Sequence, residues 1–225
     1  MTRFASGPAS RGSQKWLQFA INEKQPILDS EVLECLPEKE RRSITWVSPI
    51  KSDEYAEYRD NEFLEQLNIK LSHHPLLSFW PRKGPQWDGL AKMEDGKVLL
   101  VEAKAHLSEM RSPASRASAS SLELIRKSLD EVKSFLGINP EKDWSGTYYQ
   151  YTNRIAHLYL LRELNQIPAY LIFLYFINDT EMKGPTSKAE WQTSIHELGN
   201  YLGLPVQHKL SKYILHVYLD ISLLQ

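Results

Sequence analysis

The chain has 225 residues, 42% of them hydrophobic and 24% charged, which excludes a largely disordered chain and suits one domain or one domain with a short extension. Its 27 Lys and Arg against 28 Asp and Glu exclude nucleic-acid binding through bulk positive charge and leave only a local basic patch. A single cysteine, Cys35, excludes an internal disulfide framework, and the longest apolar run, 169–177, is too short to span a membrane.

In chain order, residues 1–12 are small and polar with Gly and Pro, and are expected to form a mobile arm. Their lack of an apolar signal core leads to the expectation of a soluble, cytoplasmic protein. Ser13 can cap a helix in which Trp16, Leu17, Ala20 and Ile21 share one face. Pro26 opens a second helix, and 37–42 is a charged connector. Residues 13–50 therefore read as a helical extension in front of a main domain over 51–225.

In that domain, Ala56, Phe63, Leu64 and Leu67 predict a helix over 53–71. Residues 78–81 read as a short strand. Two further strands, 85–93 and 97–106, are joined by Glu94-Asp95-Gly96, a hairpin signal. A Ser/Ala-rich loop over 107–120 leads to a helix over 122–136, stopped by Gly137 and Pro140. A helix over 148–164, a buried strand over 168–178, a helix over 188–202 and a last strand over 213–221 complete the chain. This order predicts an α/β fold, a mixed β-sheet flanked by helices, with an N-terminal helical extension.

The chemistry concentrates in residues 86–104. On the second hairpin strand, Val98, Leu100, Glu102 and Lys104 share one face, and Leu99, Val101 and Ala103 share the other. Both faces begin apolar, so the strand is buried, and a carboxylate and an ammonium at its far end are costly unless they do something. Asp88 lies on the partner strand, and register decides whether it joins them. A two-residue Asp95-Gly96 loop pairs Asp88 with Ala103, on the wrong face. A three-residue loop pairs it with Glu102, and Gly96 suits the left-handed position such a loop requires. The three-residue loop is therefore predicted.

An Asp followed, after 13 residues, by Glu-Ala-Lys at the end of an apolar strand resembles the PD-(D/E)xK nuclease superfamily. The motif spans residues 88–104, within an element order over 53–178 that also resembles the restriction-endonuclease-like fold. Trp87 stands where that family often has Pro. The resemblance implies Mg²⁺ or Mn²⁺ held by Asp88 and Glu102, with the Ala103 carbonyl as a further ligand. Hard carboxylate oxygens suit such a cation. It also implies that Lys104 orients a water or stabilises the transition state. The family often adds an acid from the first helix. Asp60, on the stripe of Phe63, Leu64 and Leu67, is favoured over Glu57, while Glu62 and Glu65 point to solvent. An ordinary pairing of either acid with a neighbouring cation stands beside that role.

On the helix that begins near Tyr148, Gln150, Asn153, Arg154 and His157 share a face. Gln150 and Arg154 resemble the polar residues that related nucleases carry there, and Asn153 and Arg154 suit phosphate binding. Arg111 and Arg116, in the small-residue loop, are candidates for contact with the substrate backbone. The expected activity is hydrolysis of phosphodiester bonds, of DNA, by metal-activated water. The alternative is a binding or assembly module of the same fold with weak or absent catalysis, and an RNA-directed nuclease is a third reading. A homodimer is compatible with duplex cleavage, which needs two sites.

Overall fold

The chain is described here by a computed structural model, over residues 3–5 and 7–225. Strand β1 (Arg3–Phe4) precedes helices α1 (Gly12–Glu23) and α2 (Gln25–Glu34), then strands β2 (Ile44–Ser48) and β3 (Glu57–Tyr58). Helices α3 (Asp60–Gln66) and α4 (Leu76–Phe79) lead into the hairpin of β4 (Gly89–Met93) and β5 (Val98–Lys104). Helices α5 (Ala119–Leu136) and α6 (Tyr149–Tyr159) follow, the latter running into a π-helical turn, Leu160–Leu164. Strand β6 (Ala169–Ile177), helix α7 (Lys188–Leu202) and strand β7 (Ile214–Asp220) complete the order.

The main sheet has five strands in the order β2-β4-β5-β6-β7. Strand β4 runs antiparallel to both its neighbours, β2 and β5, and β5, β6 and β7 run parallel. The fold is thus an α/β architecture on a mixed open sheet, with helices on both faces, as the element order predicts. The N-terminal helices α1 and α2 are present and cover one face, against Leu99, Val101, Ala103, Ile172 and Val217. Helices α3 to α7 cover the other face, against Leu100, Leu171 and Phe173. Each parallel step has its crossover helices between the strands it joins, as parallel pairing demands. Strand β6 is buried along its whole length, as its continuous apolar run requires.

Three local readings are corrected. The helix expected over 53–71 reduces to α3, because Glu54 and Tyr55 turn the chain with positive φ and Glu57–Tyr58 are extended as β3. Residues 76–79 form a helical turn, so the short strand expected over 78–81 is absent. Strand β2 arises between α2 and α3, where the sequence had suggested only a helical extension, and it forms an edge of the sheet. Residues 1, 2 and 6 of the expected arm lie outside the described residues. Within it, Arg3–Phe4 pairs with β3, Gly7 N donates to the Glu54 carbonyl, and Ala9 N donates to Gln18 Oε1 at 2.8 Å. Among the described residues, no helix is long and apolar enough to cross a membrane.

Candidate functional site

The hairpin closes through the predicted three-residue loop. Met93 N donates to the Lys97 carbonyl, and Gly96 takes φ +84°, a conformation that costs glycine little. Gly89 pairs with Val101 and Leu90 with Leu100, and one further step of that register sets Asp88 opposite Glu102. On the other side, Tyr58 bridges to Trp87 in antiparallel sense, which sets Glu57 opposite Asp88. Three carboxylates, Glu57, Asp88 and Glu102, therefore lie in one row across three adjacent strands. Side chains directly opposite one another in neighbouring strands meet.

Each carboxylate is held differently. Glu102 is 1% exposed and sits between two cations. Arg154, itself buried, donates through Nε to Glu102 Oε2 at 2.6 Å and brings Nη2 to 2.5 Å of the same oxygen. The Lys104 ammonium pairs with Oε1 and also donates to Gln150 Oε1 at 2.9 Å. Burial pushes the Glu102 carboxyl up, but Arg154 and Lys104 more than offset this and leave it below the usual carboxylate range. Asp88 is half-buried, and Oδ2 accepts the Ala103 N–H at 2.8 Å. Burial first, and then the Glu102 charge, drive its carboxyl well above the usual range, with Glu57 adding to the rise. Glu57 accepts amide hydrogens from Gln14 of α1 at 2.8 Å and from Gln86 at 2.6 Å. Burial still raises its carboxyl.

A cleft of about 500 Å³ opens over this row. It is lined by Glu57 and Asp88, by Gln150, Asn153 and Arg154 of α6, and by Arg116 of the Ser/Ala-rich loop. Helix α6 is set against the loop at its first turn, where Gln150 N donates to Ser112 Oγ at 2.8 Å. Arg154 also donates to the Gln86 carbonyl at 2.6 Å, and its guanidinium lies 4.7 Å from the Trp87 ring centroid. It thereby ties α6 to the strand that carries Asp88.

Of the residues singled out from sequence, Asp88, Glu102, Lys104, Glu57, Gln150, Asn153, Arg154 and Arg116 come together at this cleft or directly beneath it. Asp60 and Arg111 do not line it. Both oxygens of Asp60 are taken by the backbone of the next loop, Lys83 N at 3.1 Å and Gly84 N at 2.8 Å. Asp60 thus anchors the loop that leads to Asp88, and Glu57 is the acid that joins Asp88 and Glu102 in the row. The stripe of Asp60, Phe63 and Leu64 that favoured Asp60 is present in α3, but at the first residue of that helix the carboxylate meets the loop backbone and not the cleft. His157 is enclosed by Trp80, Trp87 and Phe63, its Nδ1 lies 2.8 Å from the Asn153 carbonyl, and burial lowers it to about 3. It is a neutral core residue. Gln86, Gln14 and Lys83 were not anticipated. Gln86 had the signal of adjacency to Asp88, whereas Gln14 comes from a distant helix and had none.

The donor chemistry fits a hard divalent cation. Asp88 faces the cleft with only one oxygen hydrogen-bonded among the described residues, and burial, then the Glu102 charge, disfavour its ionised form, which a bound cation would relieve. Among the described residues, no three Asp, Glu, His or Cys side chains gather closely enough to hold a metal ion by themselves. Mg²⁺ does not require such a cage, because it commonly takes one or two carboxylates, waters and a substrate phosphate. No protein-family model, curated protein or solved structure matches the chain.

Proposed function

We propose that the chain is a metal-dependent nuclease of the PD-(D/E)xK type that hydrolyses phosphodiester bonds, with DNA as the substrate. The observation that carries this reading is the hairpin register, which sets Asp88 opposite Glu102 with Lys104 two residues on, beneath an open cleft with Arg116 and Arg154 in its lining. Asp88 and Glu102 would hold Mg²⁺ or Mn²⁺, with the Ala103 carbonyl as a further ligand. The ion would supply charge neutralisation at the phosphate and a more acidic bound water. Asn153 and Arg116, both in the lining of the cleft, bind the phosphate backbone. Lys104, held between Glu102 and Gln150, orients the attacking water and stabilises charge that develops on the phosphoryl oxygens. Arg154 keeps Glu102 ionised and in place.

The test is cleavage of labelled single- and double-stranded DNA and RNA with Mg²⁺, Mn²⁺ or chelator, on wild type and Asp88→Ala. Metal-dependent cleavage that disappears in the variant is expected. Activity that survives Asp88→Ala, or that needs no metal, overturns the reading. One observation favours the second reading, a nucleic-acid-binding module without turnover: both Glu102 oxygens are already taken by cations of the chain itself. Binding without cleavage by any metal-loaded wild type is its signature.

A further inference from the structure

The row of acids does not stop at Glu102. In the parallel half of the sheet, Glu102 pairs with Phe173 and Phe173 with His216, while Lys104 pairs with Tyr175 and Tyr175 with Tyr218. The face that carries the ionic cluster therefore continues as an aromatic row to β7, the edge strand. The rings lie nearly parallel. Tyr151 stacks on Phe173 at 4.2 Å and 13°, and Phe173 lies 5.8 Å from His216 at 19°. Tyr175 lies 5.8 Å from His216 at 9° and 5.5 Å from Tyr218 at 27°.

At the edge, between α7 and β7, a cavity of about 310 Å³ opens. His216 and Tyr218 line it from the sheet, Tyr151 from α6, Gln192 and His196 from α7, and His208 from the following loop. That volume is at the small end of ligand sites. Among the described residues no carboxylate lines the cavity, and Lys188 Nζ lies 4.8 Å from the Tyr218 ring centroid, so the surroundings suit a neutral or anionic ligand. Among the described residues, the side chains of Gln192 and His196 make no hydrogen bond, and their polar edges are available at the rim. Burial holds the His216 ring near a pKa of about 4, so at neutral pH it stacks uncharged.

Tyr151 and Leu198 line both this cavity and the narrow gap over Glu102 and Lys104, and Gln150 lines both that gap and the cleft. Two strand spacings, about 10 Å, separate the Glu102 level from His216. A nucleic-acid strand can bridge that distance, but a base stacked within a duplex cannot enter such a pocket without leaving the stack. The geometry points to a nucleobase pocket: an unpaired base of the substrate strand extends the Tyr151–Phe173–His216 stack at the β7 edge, while a nearby phosphate of the same strand occupies the Asp88 cleft. This inference rests on the nuclease reading, and it narrows the substrate to single-stranded or locally opened nucleic acid.

The test is equilibrium binding to the full chain of two fluorescent oligonucleotides of equal length, oligothymidylate and its abasic counterpart. Binding is measured in chelator and, on the Lys104→Ala background, with Mg²⁺. The base-containing strand is expected to bind roughly tenfold tighter, as expected for stacking of a base on aromatic rings. His216→Leu should remove that advantage and leave abasic binding unchanged. Should His216→Leu fail to fold, His196→Glu, at an exposed rim position, should weaken the base-containing strand more than the abasic one. Equal affinity for the two strands, equal weakening of both by a variant, or no binding in either condition overturns the pocket. Base-dependent binding by a chain that never cleaves keeps the pocket and discards the nuclease reading. Cleavage with no base dependence of binding does the reverse.

Discussion

The two faces of β5 are built from one strand and behave as opposites. Leu99, Val101 and Ala103 face α1 and belong to a hydrophobic core in which buried Asp179 accepts from the Trp16 indole at 2.8 Å. Leu100, Glu102 and Lys104 face α6, where the apolar start gives way to a buried ion cluster. The difference lies in what closes over each face. Helices α1 and α2 seal theirs with Trp16, Leu17, Ala20 and Leu28. On the other side α6 brings Arg154 to the Glu102 carboxylate and leaves a cleft beside it. A buried charge persists only with a partner in good geometry, and here the partners come from a helix and from the same strand.

Substitutions on the two faces should separate function from stability. Lys104→Ala should lower the cleavage rate by ~10²–10⁴-fold, the range for a lost proton-handling group, and spare metal binding by calorimetry. Loss of metal binding would make Lys104 a structural partner of Glu102 instead. Glu102→Ala removes the counter-charge from buried Arg154 and should destabilise the fold by ~3–5 kcal/mol in denaturant titration, besides abolishing cleavage. Leu99→Ala, on the sealed face, should cost a similar ~2–5 kcal/mol through an unfilled cavity and leave the metal dependence of any activity unchanged. If Leu99→Ala altered metal affinity as strongly as Glu102→Ala, the two faces would be coupled and the contrast would fail.

Two smaller effects concern protons. His157 is fully buried and lowered to about 3, against about 6.5 in an unfolded chain. Its neutral form supports the fold above about pH 6.5, and that support fades as pH falls towards 3, because the unfolded chain takes up the proton first. The expected slope is about 1.4 kcal/mol per pH unit within that window. A His157→Leu variant whose stability falls with acid as steeply as wild type would contradict this. Asp88 has the opposite sign. Its carboxyl is raised by burial and by Glu102, so its ionisation at neutral pH costs stability. Asp88→Asn retains an acceptor for the Ala103 N–H and should raise the melting temperature at pH 7, a gain that disappears below about pH 3, where the carboxyl is protonated in both states. An unchanged or lowered melting temperature at pH 7 would show that ionised Asp88 carries no cost in the fold.

The hairpin was readable because its signals are local. Alternation along Val98–Lys104 sets the faces, and Gly96 suits the loop that fixes the register, so the Asp88–Glu102 pairing followed from chain geometry alone. The long apolar run of β6 and the capped, Gly-terminated helix α7 were equally local. Glu57 was misplaced because its strand exists only through pairing with Arg3–Phe4 and the bridge to Trp87, partners about 30 or more residues away. Asp60 looked inward on a helical stripe, yet its carboxylate serves the backbone of Lys83 and Gly84.

Arg154 marks the same boundary. Its place on the polar face of α6 beside Gln150 and Asn153 was legible, and that placement suggested phosphate contact. What it grips first is Glu102, 52 residues away in the chain. The sequence by itself determined the α/β class, the faces of β5 and the register that joins Asp88 to Glu102, because strand period and turn chemistry act over a few residues. Only the tertiary structure decided which acid completes the row, which cation holds Glu102 and where the aromatic row meets solvent. Those depend on how distant elements close over the sheet, and no local periodicity encodes that.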